Sequence, residues 1–434
     1  MNRIFAYLLT LGAIVLFASS NAIVPTPAPE QPGPIAIVGA VIHTGDGSVI
    51  GDGVITFEAG IITAIGAAGD GIDLSNHQRI DIQGRHVYPG FVLPNTTLGL
   101  IEVGSVRATD DTEEAGEINA SVRAAIAYNT DSEVIPTNRF NGILTAQATP
   151  EGGLIAGSSS VMKLDGWNWE DAMLAEDVGL HLHWPSYSRR RYNQEQERFE
   201  TVENDDYGRQ TETLNRLFQS ALSYTGEPLN LNLEAMQPVL TGAAKLFVHA
   251  DGAREIISAV RFARRFGVEE VVLVGGAEAL MVVDFLVSEQ VPVIYERIHA
   301  LPGEAWYDVD APYRTPLQLH EAGLKVGIGG GATSFGSQRN LPFFAGTAAA
   351  HGMDRETALA LITRNNAEIL GVADRVGTLE VGKDATLFIS EGDALDMRTS
   401  KVLGAYIQGR DIDLFGTQQQ LYERFREKYE QQIE

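Results

Sequence analysis

Residues 86–100 read His86-Val-Tyr-Pro-Gly-Phe-Val-Leu-Pro-Asn95-Thr-Thr97-Leu-Gly-Leu100. The apolar half of this stretch reads as a strand, and Asn95 and Thr97 stand two residues apart at its end. Side chains at i and i+2 of a strand point the same way, so such a pair faces one centre. Two histidines placed like this would clamp a metal ion. An amide and a hydroxyl are weak, neutral ligands and bring no basic nitrogen to a zinc-like ion.

The stretch also separates two textures. Before it, from Ile35 to Gly66, short β-branched runs (Val41-Ile42, Val54 to Phe57, Ile61-Ile62) are broken by Gly45, Asp46-Gly47, Asp52-Gly53 and Ala59-Gly60, which predicts a small antiparallel sheet. After it, short apolar runs at 142–149, 245–250, 271–274, 291–295 and 324–328 alternate with helical periods such as Ile256, Val260, Ala263 and Phe266. Strand and helix in repeated alternation predict a closed (β/α)8 barrel. A single helix is expected from its N-cap Asp354 to Leu370, stopped by Gly371. Strands then return at 377–389 and 402–407, so both ends of the chain are expected to build one β-sandwich with the barrel inserted between its halves. Leu421, Phe425, Tyr429 and Ile433 form an apolar stripe that predicts a terminal helix docked on the body.

The N-terminus carries Arg3, an apolar run from Ile4 to Ala18 and a small-residue exit at Ser20-Asn21-Ala22. This pattern reads as a cleaved secretory signal, too short for a membrane span, and implies export to a periplasmic location. The expected division is a signal at 1–22, a Pro-rich extended linker at 23–34, sandwich halves at 35–90 and 377–412, a barrel at 91–376 and a terminal helix at 413–434. The chain has no cysteine, which excludes disulfides, thiolate metal sites and a cysteine nucleophile. A net charge of −25 disfavours nucleic acid and anionic lipid as partners.

The order of these features, nearly the whole chain from Ile35 to Arg410, resembles the amidohydrolase superfamily, and within it exported imidazolonepropionase-like amidohydrolases. Pro89-Gly90 and Leu98-Gly99 fit the family's V-x-P-G-h-h-D-x-H-x-H-L-G frame, where h is apolar. Gly377-Thr-Leu-Glu-Val-Gly-Lys-Asp-Ala385 fits its closing motif, with Thr386 where Asp is usual. Arg139-Phe-Asn-Gly-Ile-Leu-Thr, Gly152-Gly-Leu-Ile-Ala-Gly, Leu164-Asp-Gly-Trp-x-Trp-Glu and Arg339-Asn-Leu-Pro-Phe are similar to signatures of that subgroup.

The resemblance implies a metal, often zinc, that activates water against an amide carbonyl, and a carboxylate on the last strand that moves the proton. On that frame Asn95 and Thr97 occupy the two histidine positions, and His249 matches the fifth-strand histidine. Gly275 stands where a sixth-strand ligand is expected, and Gly331, within Gly329 to Ala332, where the catalytic aspartate should emerge. His249 reads either as a residual ligand or as a hydrogen-bonded pocket histidine. His181-Leu-His183 is a literal H-x-H, but it follows a segment, Trp169 to Ala175, that reads as helical, and is expected in a structural or surface role. Lys163 could be a carboxylated bridging lysine; a buried or rim salt bridge is the alternative expected of it. The glycines at 329–331 lack the G-K-[ST] that a phosphate loop would need.

The reading is therefore an exported protein of amidohydrolase fold with a lost metal centre and no cofactor expected, serving as a non-catalytic subunit or a binding protein. Its expected partners are a catalytically intact amidohydrolase paralogue or a second copy of itself, with a small-molecule or peptide ligand. The alternative is an active hydrolase of a cyclic amide or peptide, which would need zinc or another divalent metal.

Overall fold

The computed structural model describes residues 26–194, 196–302, 307–331 and 336–430. The signal expected at 1–22 and the end of the terminal stripe, Ile433, lie outside them. The β-branched runs form β1 (Ile35–His43), β2 (Val49–Glu58) and β3 (Ile61–Ala67), followed by β4 (Gln78–Asp81) and β5 (His86–Pro89). The barrel strands are β6 (Phe91–Thr96), β7 (Ile143–Ala148), β8 (Ile155–Lys163) and β9 (Met173–His183). A hairpin, β10 (Ser188–Asn193) and β11 (Arg198–Glu203), precedes the other four: β12 (Lys245–Ala250), β13 (Val271–Gly275), β14 (Val293–Tyr295) and β15 (Val326–Ile328). The chain then returns through β16 (Leu387–Ser390), β17 (Val402–Ile407) and β18 (Arg410–Asp411).

Both ends of the chain meet in one eight-stranded sheet of order β18-β17-β16-β5-β1-β2-β3, with β4 on β1. The antiparallel pairing of β5 with β16, Pro89 opposite Leu387, joins the two halves. Ile37, Ile42, Ile55, Phe57 and Leu387 form a core of its own beneath this sheet. Burying such side chains stabilises by about 1.5–3 kcal/mol each, so the sheet needs both halves before its core closes.

The second sheet runs β6-β7-β8-β9-β12-β13-β14-β15. All neighbours are parallel except at β8, which is antiparallel to both β7 and β9. The sequence hid β8 and β9: one carries Gly157-Ser-Ser-Ser160 and the other is interrupted by the polar Glu176-Asp177. The helix expected at Trp169 is a single turn, Trp169–Ala172, before β9 starts.

No backbone ladder joins β15 to β6 among the described residues; one side chain does. Asn366 donates through Nδ2 to the carbonyls of Val92 (2.8 Å) and Ile328 (2.9 Å), one on each edge, and Asn365 reaches the Val326 carbonyl at 2.7 Å. The helix expected to be continuous is two, Arg355–Ile362 and Arg364–Leu370, broken at Thr363 (φ −123, ψ −95). Asp354 and Gly371 cap the two ends as expected, Asp354 accepting from the Thr357 amide and Gly371 left-handed.

Two expectations at the chain ends need correction. The stretch at 26–34 is not merely a spacer: Ala28 is buried and its N–H donates to Asp165, while Gln31 bonds the Phe57 carbonyl and the Gly60 N–H. The terminal helix Thr417–Glu430 buries no residue, and Leu421, Phe425 and Tyr429 are 42%, 45% and 56% exposed, so the stripe is not docked on the body. Among the described residues no helix is long and apolar enough to cross a membrane.

Asn366→Ala should destabilise the fold by roughly 2–5 kcal/mol, because two buried carbonyls lose their donor. Gly327→Ala should do likewise, since a Cβ there would fall 2.0 Å from Asn366 Oδ1. Denaturant unfolding measures both, and wild-type midpoints would refute the seam.

Candidate functional site

Parallel barrel strands deliver their C-terminal ends to one face, where active sites of this architecture gather. Here that face encloses a cavity of about 620 Å³ lined by Asn95, Glu151, His183, His249, Asp251, Gly275, Glu296 and Gly331 among others. Asn95, His249, Gly275 and Gly331 thus border one space. Thr97 does not: Asn95 adopts a left-handed backbone (φ 47) and the β6–β7 register slips between Leu93 and Thr96. The bulge breaks the i, i+2 alternation, so Thr97 leaves the lining and is buried beside it. Thr96 instead turns its hydroxyl to Gln338.

His181 and His183 also need correction. They sit on β9, in parallel register with β12, so that His183 pairs with His249. His181 is fully buried, and its Nδ1 lies 2.8 Å from His249 Nε2. His183 lies in the cavity wall with its ring stacked on His249 at 4.2 Å and 18°. Lys163 is at the other end of the barrel because β8 runs backwards; its Nζ bonds Gln408 at 2.8 Å, in place of the salt bridge expected.

A chain of buried hydrogen bonds crosses the barrel interior from Asn95 to His249. The Asn95 N–H donates to Gln147 Oε1 (3.0 Å), Gln147 Nε2 donates to Ser159 Oγ (2.8 Å), and Ser159 Oγ meets His181 Nε2 (2.8 Å). Ser159 Oγ also reaches the Gly179 carbonyl at 3.4 Å, and His181, held through both ring nitrogens, bridges Ser159 and His249. Burial holds all three imidazoles below their ordinary pKa, His183 at about 4. They are neutral at pH 7.

Glu296, Asp251 and Glu151 escaped the sequence reading. Each follows a barrel strand by one to three residues, and an acid just past an apolar run was the available signal. Glu296 accepts from Asn95 Nδ2 at 2.8 Å. It occupies the room left by the eighth strand, where a Cβ on Gly329 would come within 2.7 Å of its Oε1. The carboxylate expected after β15 thus has a counterpart after β14. Although Glu296 borders the cavity, protein surrounds it, and desolvation pushes its pKa up to about 8 against the hydrogen bond from Asn95.

The donors do not fit a three-ligand zinc site. His249 Nε2 is taken by His181, and the rings of His183 and His249 are stacked on each other. Asn95 offers its NH2 to Glu296, and glycines fill the remaining frame positions. Among the described residues no group of three or more His, Cys, Asp or Glu is arranged to hold a metal ion.

The pH dependence of stability should show these environments. A carboxyl with a raised folded pKa stabilises fully below its ordinary value, 4.5, and loses that contribution as pH rises to about 8. Glu296→Gln, which still accepts from Asn95, should therefore gain stability over wild type in thermal melts near pH 8.5 and not near pH 4.5. The neutral histidines act in the opposite sense, their contribution falling as pH drops below 6.5 toward 4. In NMR titration the His183 ring should protonate near pH 4, and a midpoint near 6.5 would contradict its burial.

Residues 328–411 match the sequence model of the Amidohydrolase family. A segment of 116 residues is 38% identical to amidohydrolase tasK of Hapsidospora irregularis, spanning 24% of this chain and 12% of that protein. The whole architecture is similar to an amidohydrolase from Thermotoga maritima MSB8, with TM-score 0.75 and 21% identity over 87% of this chain and 99% of that one. It also resembles molinate hydrolase, with TM-score 0.54 and 13% identity over 89% and 96% of the two chains. The barrel inserted between two halves of one sheet is thus the fold of these amidohydrolase structures, and the stretch similar to the Amidohydrolase family, residues 328–411, ends on that sheet's last strand.

Proposed function

We propose that this chain is a ligand-binding member of the superfamily, on a barrel related to hydrolases of C–N bonds, that does not activate water through a metal. The observation that carries this reading is His249, whose Nε2 is bound by His181 while the other frame positions hold Asn95, Gly275 and Gly331. The chain's own residues can still bind and orient a ligand: Asn95 and Glu296 form a fixed polar pair, and neutral His183 and His249 supply an uncharged wall. A catalytically intact paralogue, or a second copy, is proposed as partner, and export to the periplasm as the setting.

Glu296 favours a second reading, a C–N hydrolase. A carboxyl that retains its proton near neutral pH can donate it to a leaving nitrogen, as general acids are tuned to do. Elemental analysis of dialysed protein together with amide and dipeptide hydrolysis assays decides between them. The expected result is substoichiometric zinc and no turnover by the chain alone. Stoichiometric metal with turnover abolished by His249→Ala would replace the first reading by the second. Copurification from the envelope fraction should recover the partner, with any amidase activity unaffected by His249→Ala in this chain.

A further inference from the structure

The cavity wall holds two buried polar atoms with no hydrogen-bond partner, Asn95 Oδ1 and His183 Nε2. Asn95 is 1% exposed, lines the cavity and already gives its Nδ2 to Glu296. An unsatisfied buried acceptor carries a desolvation cost that a ligand donor would offset. The carboxylates of Glu151, Asp251 and Glu296 border the same space, against the guanidinium of Arg297. Acceptors thus predominate around the centre, and the neutral imidazoles add no positive charge. A smaller side pocket of about 230 Å³ shares Asp251 and Arg297 with this cavity and is lined by Tyr295, Leu301, Tyr307 and Pro312.

We propose that the two spaces together bind a small monocationic amine with an apolar or aromatic tail. Its ammonium meets Asn95 Oδ1 and the carboxylates of Glu296 and Asp251, and its tail enters the side pocket. This deepens the ligand-binding reading and rests on it. An ammonium group has three donors and no acceptor, the complement of this wall, and its hydrogen bonds to carboxylates are charge-assisted. A neutral alcohol of the same shape provides one donor and no charge.

The groups facing Glu296 define the pH response. Asn95 from β6 and the Gly331 N–H after β15 favour its ionised form, Asp251 after β12 and Glu151 after β7 oppose it, and burial outweighs them all. His183, His249, His299 and Arg297 complete the charged and titratable lining. Pairing with a cation requires ionised Glu296, so the amine must displace its proton below pH 8. Affinity should therefore rise with pH from 6 to 8, with proton release on binding.

Titration calorimetry of the full chain with phenethylammonium, and with 2-phenylethanol as the neutral control, tests this. Binding of the amine and not of the alcohol is expected, with affinity rising about tenfold or more from pH 6 to pH 8. Glu296→Gln should weaken binding roughly tenfold at pH 8 and abolish the pH dependence, and Tyr307→Ala should weaken it several-fold through the tail. Asp251→Asn, at an exposed position, is the second carboxylate variant should Glu296→Gln not fold. Equal binding of the alcohol, or an affinity unchanged by pH and by the carboxylate variants, overturns the proposal. Amide turnover with stoichiometric metal would overturn the non-hydrolytic reading and leave this test standing. No amine binding in a chain that also shows no turnover would overturn the amine alone.

Discussion

The barrel depends on the side chain of Asn366 for its closure. Among the described residues seven of the eight junctions between barrel strands are backbone ladders, and at the eighth one amide reaches carbonyls on both edges. Three local features serve that contact. Thr363 breaks the helix so that Asn365 and Asn366 turn toward the strands. Gly327 carries no side chain where Asn366 Oδ1 approaches. Gly377, left-handed at φ 96, packs against Ala367 at the start of the return to the sheet. The face that carries the cavity is therefore held by a polar bond from a helix outside the barrel, and the position of β6, with Asn95 at its end, depends on it.

Much of the architecture was legible in the sequence because it rests on local periodicity. Apolar runs identified β7, β12, β13, β14 and β15, and glycine-broken β-branched runs identified the sheet. β8 and β9 were not legible: the serine run of β8 places Ser159 against His181 inside the barrel, and Glu176-Asp177 within β9 pair with Arg123, so polarity that in the sequence looks like a loop belongs to strands. That omission hid the pairing of His181 and His183 with His249, since the register of β9 against β12 is a long-range fact.

The site shows the same division. Asn95, His249, Gly275 and Gly331 could be found because each ends a recognisable apolar run. Thr97 could not be placed, because a single left-handed residue reverses the alternation on which the inference relied. Glu296 was not legible because the family frame places its acid after β15, and this one follows β14. The space between β14 and β15 holds one carboxylate, and a glycine on one strand makes room for the acid on the other. The absence of a side chain at Gly329 and the position of the Glu296 carboxylate are one steric arrangement.

The reversed strand β8 has a consequence for how the molecule could be handled. Its C-terminal end leads to Asp165, which lies away from the cavity and draws together Ala28, Arg139 at 3.6 Å and Arg410 at 3.7 Å. Ala28 is therefore anchored at the closed end of the barrel. A dye, affinity handle or surface linkage placed there would hold the protein with its open end outward, and ligand entry could be timed without obstruction.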